Sequence, residues 1–382
     1  MRILQCTGDI DPAMGGSVEA ARQISIALDK SGHSVELVTL RPPQPEWIEQ
    51  WRGAVHYIGP ASTRYLYSRS LPGWIAQRAN QLDAVIVHGL WRYPGVGVWR
   101  GLRGRSVPYF LFPHGMLDPY FKSAFPWRHV QKAICWRVAE SRVVRDARAV
   151  IFTSDGERQR ARLTFRPYAC RECVVGLGIA RPEGGKEVAK QAFLAQFPQL
   201  VAKRIVLFLG RIHPKKGCDL LIHGFARTAP RDPLLHLVIA GPDECGWRAG
   251  LERLAVQLGV ANRVTWTGSL NGGLKWGALY ASEVMVLPSH AENFGLTVTE
   301  SLACGVPVLL SKEVNIWREI EADGAGFAAQ DDIQGVTSLL EQWLATPEEQ
   351  RAGMRDRALQ SFAKRFELEH FADELIACLK KT

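Results

Sequence analysis

Short apolar runs alternate with longer amphipathic stretches along nearly the whole chain, a pattern that predicts parallel βα units. In the first half the runs are RILQCT (2–7), SVELVTL (34–40), AVIVHG (84–89), PYFLFP (108–113), AVIFTS (149–154) and ECVVGLG (172–178). Between the first two, SVEAARQISIALDKSG sets Val18, Ala21, Ile24 and Leu28 on one helical face. The pattern restarts with RIVLFLG (204–210) and continues through LHLVIAG (235–241), RVTWTG (263–268), EVMVLPS (283–289) and VPVLLS (306–311). Consecutive rather than alternating apolar positions are what strands covered on both faces require. The expected fold class is α/β, with two doubly wound sheets in sequence. Pro and paired Gly in IARPEGGKEVAKQ place a linker near 178–190.

Length agrees with two domains, since 382 residues exceed what one ordinary core supports. A composition that is 47% hydrophobic and 22% charged fits a globular chain rather than a disordered one. The opening residues read as a strand and not as a signal peptide, and no apolar run approaches the ~20 residues of a membrane span. The expected location is therefore cytoplasmic.

The charge distribution says more than the formal net charge of +9. Residues 1–180 hold 24 Lys and Arg against 14 Asp and Glu, while the remainder is nearly balanced. The first half is expected to face something anionic, either a membrane surface or a phosphorylated acceptor. No helix-turn-helix, zinc-finger or RNA-binding pattern accompanies the charge, so nucleic acid is not the expected partner. The segment YFKSAFPWRHVQKAICWRVAESRVVRDAR mixes Phe125, Trp127 and Trp136 with Arg128, Lys132, Arg137, Arg142 and Arg145. It reads either as an interfacial helix or as an ordinary helix over the sheet. Among the eight cysteines, Cys170 and Cys173 form a CxxC, but no second pair exists to complete a zinc ribbon, and reduced thiols are expected.

In doubly wound sheets ligands bind beyond the carboxyl ends of strands, so the loops after strands are where chemistry is expected. After the first strand, GDIDPAMGGSVEAARQ offers Gly15 and Gly16 for close backbone approach and Ser17 as a helix N-cap. A dinucleotide fingerprint is absent. Asp9 and Asp11 form a D-x-D that is read as loop acidity, with no metal expected. Two later strands end alike, in His88-Gly89-Leu90-Trp91 and His114-Gly115-Met116-Leu117-Asp118, and histidines at matching strand ends point to a shared crevice. In FLGRIHPKKGCDLL, Arg211 and Lys216 flank a Pro-containing turn and suit a diphosphate, with a solvated basic loop as the alternative. In HAENFGLTVTE, a helix is expected to begin near Phe294 to Leu296, with its first-turn N–H groups free for phosphate or sugar oxygens. Glu292 precedes that helix and Glu300 lies on it; chemistry alone leaves them as hydroxyl acceptors or exposed caps.

Taken together, these motifs resemble the family 4 retaining glycosyltransferases, which have the GT-B fold of two facing Rossmann-like domains with a cleft between them. The likeness runs from Gly15-Gly16 to AENFGLTVTESLACGVPVLLS. GRIHPKKG is similar to the family's G-R-x(4)-K-G, Glu292 and Glu300 to its E-x(7)-E, and HGMLDPYF to subgroups that build exopolysaccharides and O-antigens. The resemblance implies a hexosyltransferase in surface polysaccharide biosynthesis, lipopolysaccharide included. It would take a nucleotide-diphosphate sugar as donor and a glycan or lipid-linked glycan as acceptor, with no cofactor and no metal. Arg211 and Lys216 would neutralise the diphosphate, while Asn293, Phe294, Gly295 and Leu296 would support phosphate and sugar. Glu292 would hold donor-sugar hydroxyls and Glu300 the ribose. Gly15 and Gly16 would lie against the diphosphate and His114 would face the donor sugar, with His88, Trp91 and Asp118 as acceptor candidates.

The resemblance also implies an acceptor domain over 1–178 and a donor domain over 179–363. The C-terminal helix, 364–382, would cross back to the first, and the basic first half would sit peripherally at the inner face of the cytoplasmic membrane. A sugar-nucleotide epimerase of the same fold and a non-catalytic nucleotide-sugar-binding scaffold are the competing readings.

Overall fold

The computed structural model describes residues 1–61 and 63–381; Ser62 and Thr382, the last residue of the expected C-terminal helix, lie outside the described residues. Two units emerge, one formed by Met1–Ala180 with Glu367–Thr382 and the other by Arg181–Phe366.

The first unit holds a seven-stranded sheet in the order β3-β2-β1-β4-β5-β6-β7. Its strands are β1 (Arg2–Thr7), β2 (Ser34–Thr39), β3 (Ala54–Tyr57), β4 (Ala84–His88), β5 (Tyr109–Phe112), β6 (Ala149–Phe152) and β7 (Glu172–Val174), all paired in parallel. The central runs are buried from end to end, as their unbroken apolar sequence requires. Helix α1 (Gly16–Lys30) buries Val18, Ala21, Ile24 and Leu28, the expected face. Helix α2 (Pro126–Cys135) continues through a π turn at Trp136–Glu140 into the helix Ser141–Asp146.

The second unit holds a six-stranded parallel sheet, ordered β10-β9-β8-β11-β12-β13. These strands are β8 (Arg204–Leu209), β9 (Leu235–Ala240), β10 (Val264–Gly268), β11 (Val284–Leu287), β12 (Val308–Ser311) and β13 (Gly326–Ala329). The expected linker is shorter than its composition implied, because Lys186–Gln196 forms helix α3. Other helices of this unit are α4 (Cys218–Thr228), α5 (Gly272–Ala281), α6 (Leu296–Ala303) and α7 (Glu348–Arg365). A Cβ on Gly277 of α5 would lie 2.1 Å from the Ala189 carbonyl oxygen, so glycine there lets α3 and α5 cross closely.

Helix α7 ends at Arg365, and α8 (Leu368–Lys381) belongs with the first unit, where it packs on α1. A Cβ on Gly178 would stand 2.5 Å from that of Phe371, so the chain passes directly against α8.

The strand orders locate the sites. In the first sheet the winding reverses between β1 and β4, and in the second between β8 and β11. Loops that leave adjacent strands in opposite directions open a crevice at the carboxyl edge. The motif loops 8–15, 89–92, 210–217 and 288–295 are those that follow these four strands.

Candidate functional site

In the second unit, two loops are locked together by a side-chain cap and a backbone bond. His213 Nδ1 accepts from the Lys215 N–H at 3.0 Å and caps the short turn Pro214–Lys216. The Lys215 carbonyl then accepts from the His290 N–H at 2.8 Å, tying the loop after β8 to the loop after β11. Gly217 closes the turn in the left-handed region, with φ 66°. A Cβ at Gly217 would meet the Pro288 carbonyl oxygen at 2.2 Å, so only glycine lets the two loops approach this closely.

That approach sets Lys216 against Glu292. The Glu292 backbone is held on both sides, donating to the Glu313 carbonyl at 3.0 Å and accepting from Asn315 N–H at 3.1 Å. Its carboxylate accepts a hydrogen bond from Lys216 Nζ, and both side chains are more than four-fifths buried. Burial alone would raise the Glu292 carboxyl. The charges of Lys216, Lys215 and Arg211 outweigh burial and hold it below the ordinary carboxylate range, so it is ionised at neutral pH. Arg211 is itself bonded to Glu244 at 2.5 Å in a half-exposed pair.

Asn293 is half-buried and Phe294 is buried, meeting Phe366 edge-on at 5.7 Å. Gly295, with φ 76°, is the N-cap from which α6 departs at Leu296, where a helix start was expected. The first-turn amides of such a helix have no acceptor within it and carry partial positive charge. Glu300 lies on α6, buried, with Lys275 Nζ at 2.7 Å. The structure therefore gathers Arg211, Lys216, Glu292, Asn293, Phe294, Gly295 and Leu296 in two coupled loops. It adds three residues that the motifs did not single out: Lys215, Glu244 and Lys275.

In the first unit a pocket beyond β1 and β4 is lined by Asp9, Ser17, His88, Gly89, Arg92 and Met116, among others. Gly15, with φ 79°, is the N-cap of α1, which begins at Gly16. Ser17 thus lies inside the first turn, and the expected Ser17 cap is corrected. The D-x-D is occupied locally: Asp9 pairs with Arg41 at 3.1 Å and accepts from Asp11 N–H, while Asp11 caps the turn Pro12–Met14.

The two strand-end histidines do meet. His88 Nδ1 lies 3.0 Å from His114 Nε2, and His88 Nε2 lies 2.7 Å from Gln5 Oε1. With Gln5 accepting from His88 Nε2–H, His88 Nδ1 must accept from His114 Nε2–H, which leaves His114 Nδ1 as an acceptor. His114 sits at φ 50°, an uncommon conformation for a side chain of this size. The buried Glu157 carboxylate fixes the turn by accepting from Gly115 N–H at 2.6 Å and Thr153 N–H at 2.7 Å. A glutamine inside the apolar run RILQCT was the available signal for Gln5.

Trp91 and Asp118 do not line this pocket. The Trp91 ring packs on Phe165 at 5.0 Å and Trp136 at 6.2 Å, and Asp118 accepts from Tyr120 N–H at 2.8 Å beside Arg160. Arg92, unremarked in the sequence, lines the pocket; burial and the nearby Arg41 lower its pKa, against the pull of Asp9. Of the CxxC, Cys170 lies 3.3 Å from the Tyr168 hydroxyl, whereas the Cys173 thiol shares a hydrogen bond with that of Cys378, and none of these thiols is in a disulfide.

Burial lowers His88 well below the ordinary histidine value, helped by His114, and lowers His114 to about 4. Both are neutral when folded, while unfolded histidines gain protons near a pKa of about 6.5. The unfolded chain then binds more protons, so stability is retained above about pH 6.5 and lost as pH falls toward about 4. Urea midpoints should drop between about pH 7 and about pH 5, and by less in His114→Gln. Identical pH slopes in the two proteins would refute this.

Residues 15–178 match the Glycosyl transferase 4-like domain and residues 190–360 the Glycosyl transferases group 1 family. The D-inositol 3-phosphate glycosyltransferase of Segniliparus rotundus is 32% identical over 217 residues, covering 53% of this chain and 44% of that protein. The chain spans about half the length of the curated relatives it matches. A crystal structure of Anabaena HepE in complex with UDP and glucose superposes with a TM-score of 0.80 at 17% identity, covering 100% of both chains. WaaG, a glycosyltransferase involved in lipopolysaccharide biosynthesis, gives 0.72 at 16% identity, with 100% of both chains covered.

Proposed function

The chain belongs to the GT-B glycosyltransferases that join a 4-like domain to a group 1 domain, and from that membership we propose that it transfers a hexose-type sugar with retention. The donor is a nucleotide-diphosphate sugar and the acceptor a hydroxyl of a glycan or lipid-linked glycan. The observation that carries this reading is the coupled pair of loops that sets Lys216, Glu292 and Arg211 beside the start of α6.

Breaking the bond from the anomeric carbon to the diphosphate leaves an electron pair on a phosphate oxygen. Charge there is stabilised by preorganised cations and amides, the roles assigned to Lys216, Arg211 and the first turn of α6. The acceptor oxygen attacks from the same face, and its proton passes to the departing phosphate oxygen. Glu292 and Glu300, each paired with a lysine, accept hydrogen bonds from hydroxyls of sugar and ribose in this reading. Side chains supply the positive charge, so the reaction requires no divalent ion. The resemblance of HGMLDPYF to subgroups that build exopolysaccharides and O-antigens supports a product in surface polysaccharide assembly.

Arg92 and Arg41 favour a second acceptor class. Arg92 in the first-unit pocket, with Arg41 paired to the pocket's Asp9, suits a phosphorylated polyol, which the name of the curated relatives also brings forward.

UDP-, GDP- and ADP-sugars should be screened by thermal shift, then assayed for nucleoside diphosphate release with neutral and phosphorylated acceptors. One donor is expected to raise the melting temperature by several degrees, as ligand at ~100 Kd adds about 2.7 kcal/mol. Transfer should persist in chelator. A protein that neither binds nor consumes any of these sugars would overturn the reading, and loss of activity in chelator would overturn metal independence.

A further inference from the structure

The CxxC that transfer chemistry leaves unused has its partner elsewhere in the chain. Cys173 is the middle residue of β7, the edge strand of the first sheet, and is half-buried. Its thiol is hydrogen-bonded to that of Cys378, which is buried near the end of α8. All of Arg181–Phe366 separates the two in sequence, yet both belong to the first unit.

The meeting is built by the backbone. The chain after β7 runs along α8 from its end toward its start, with Cys173 at Cys378, Gly178 against Phe371 and Ile179 bridged to Glu367. Ala180 N–H then donates to Gln23 Oε1 at 3.3 Å, on the helix α1 against which α8 packs. These anchors fix both backbones beside sulfurs that are already in contact. Only the last approach to the ~2.05 Å of a disulfide remains.

The two thiols are not equivalent. Accepting the Cys378 S–H, with Lys381 nearby, lowers Cys173 to about 7 against its burial and the Glu374 carboxylate. The same bond, with burial, raises Cys378. A half-buried thiolate backed by a buried thiol is the division between an attacking and a resolving cysteine. Burial instead raises the thiols of Cys6, Cys170, Cys218 and Cys304.

We propose that Cys173 and Cys378 form a redox-modification site for small-molecule disulfides of the glutathione disulfide type, closing reversibly into a bond that staples α8 to the edge of the first sheet. The Cys173 thiolate attacks one sulfur of glutathione disulfide; that S–S bond breaks, its electron pair leaves on a glutathione thiolate, and a mixed disulfide forms. Cys378 loses its proton to the released thiolate and attacks the Cys173 sulfur, expelling the second glutathione. The protein loses two electrons and two protons, and one glutathione disulfide becomes two glutathiones. The bond encloses the whole second unit in one covalent loop, so α8 keeps its place when that unit opens. The proposal does not depend on the transferase reading, since its test requires no turnover.

The full chain is incubated with glutathione disulfide, its remaining thiols are alkylated, and its peptides are mapped. The Cys173 peptide should be joined to the Cys378 peptide in wild type and in Cys170→Ser alike, and dithiothreitol should release it. Cys378→Ser should stop at a Cys173–glutathione adduct, and Cys173→Ser should leave Cys378 unmodified. Oxidised wild type should melt several degrees above the reduced protein, whereas Cys173→Ser treated identically should not shift. A Cys170–Cys173 link would overturn the proposal, as would a wild-type Cys173 that stays reduced or keeps its glutathione in excess oxidant. Cys173→Ser alters a half-buried position, so the test stands even where Cys378→Ser fails to fold.

Discussion

Lys216→Ala should lower turnover of the accepted donor by about 10²–10³-fold, the loss seen when one preorganised charge at a leaving group is removed. Lys216 reaches the site because its turn is tied to the loop of Glu292, so the ammonium needs no ordering when the donor arrives. Glu292→Ala should cost a comparable factor by freeing donor hydroxyls. The double alanine variant should be little worse than either single one, because the two act as a unit.

Stability separates this from simple loss of packing. Removing one partner of a buried ion pair leaves a charge without compensation, at a cost of about 3–5 kcal/mol at full burial and less here. Lys216→Met with Glu292→Gln removes both charges and should restore the melting temperature while leaving transfer lost. A Lys216→Ala protein that turns over within threefold of wild type would remove Lys216 from the mechanism.

The parts of this fold that were legible are those in which one stretch of sequence determines one feature. Eleven strands were readable because each is an apolar run bounded by turn residues. The edge strands β3 and β13 were not: AVHY and GFAA are four residues each, largely half-exposed or exposed, and lack a continuous apolar signature. Helix α3 hid in a linker whose Pro and Gly precede it.

The site followed the same division. The start of α6 and the turn at Gly217 were local, and both stand where the motifs placed them. The chain Gln5–His88–His114 and the pairs Lys275–Glu300 and Arg211–Glu244 join residues 25 to 83 positions apart, and spacing along a sequence says nothing of such partners. Trp136 shows the same limit: the sequence left its helix open between an interfacial and a sheet-covering one, and only the packing beneath it makes this residue core.

Gly217→Ala provides the sharpest test that loop geometry, beyond charge alone, assembles the donor site. The residue has φ 66°, where a Cβ costs about 1–2 kcal/mol, and the added methyl would meet backbone rather than a yielding side chain. Overpacking adds about 1–3 kcal/mol, so a loss of about 2–5 kcal/mol is expected in chemical denaturation. The turn can relieve the clash only by withdrawing from Pro288, which draws Lys216 away from Glu292. Transfer should therefore fall even at temperatures where the variant is fully folded, and adding Lys216→Ala should lower it little further.

Gly73→Ala is the control. It lies within the helix Leu71–Arg78, where a Cβ meets nothing within 4 Å, and alanine there should stabilise by about 0.4–1 kcal/mol with transfer unchanged. A Gly217→Ala protein that is less stable yet fully active would show that the close approach of the two loops serves the fold alone. Lys216 would then reach the diphosphate from a turn free to move.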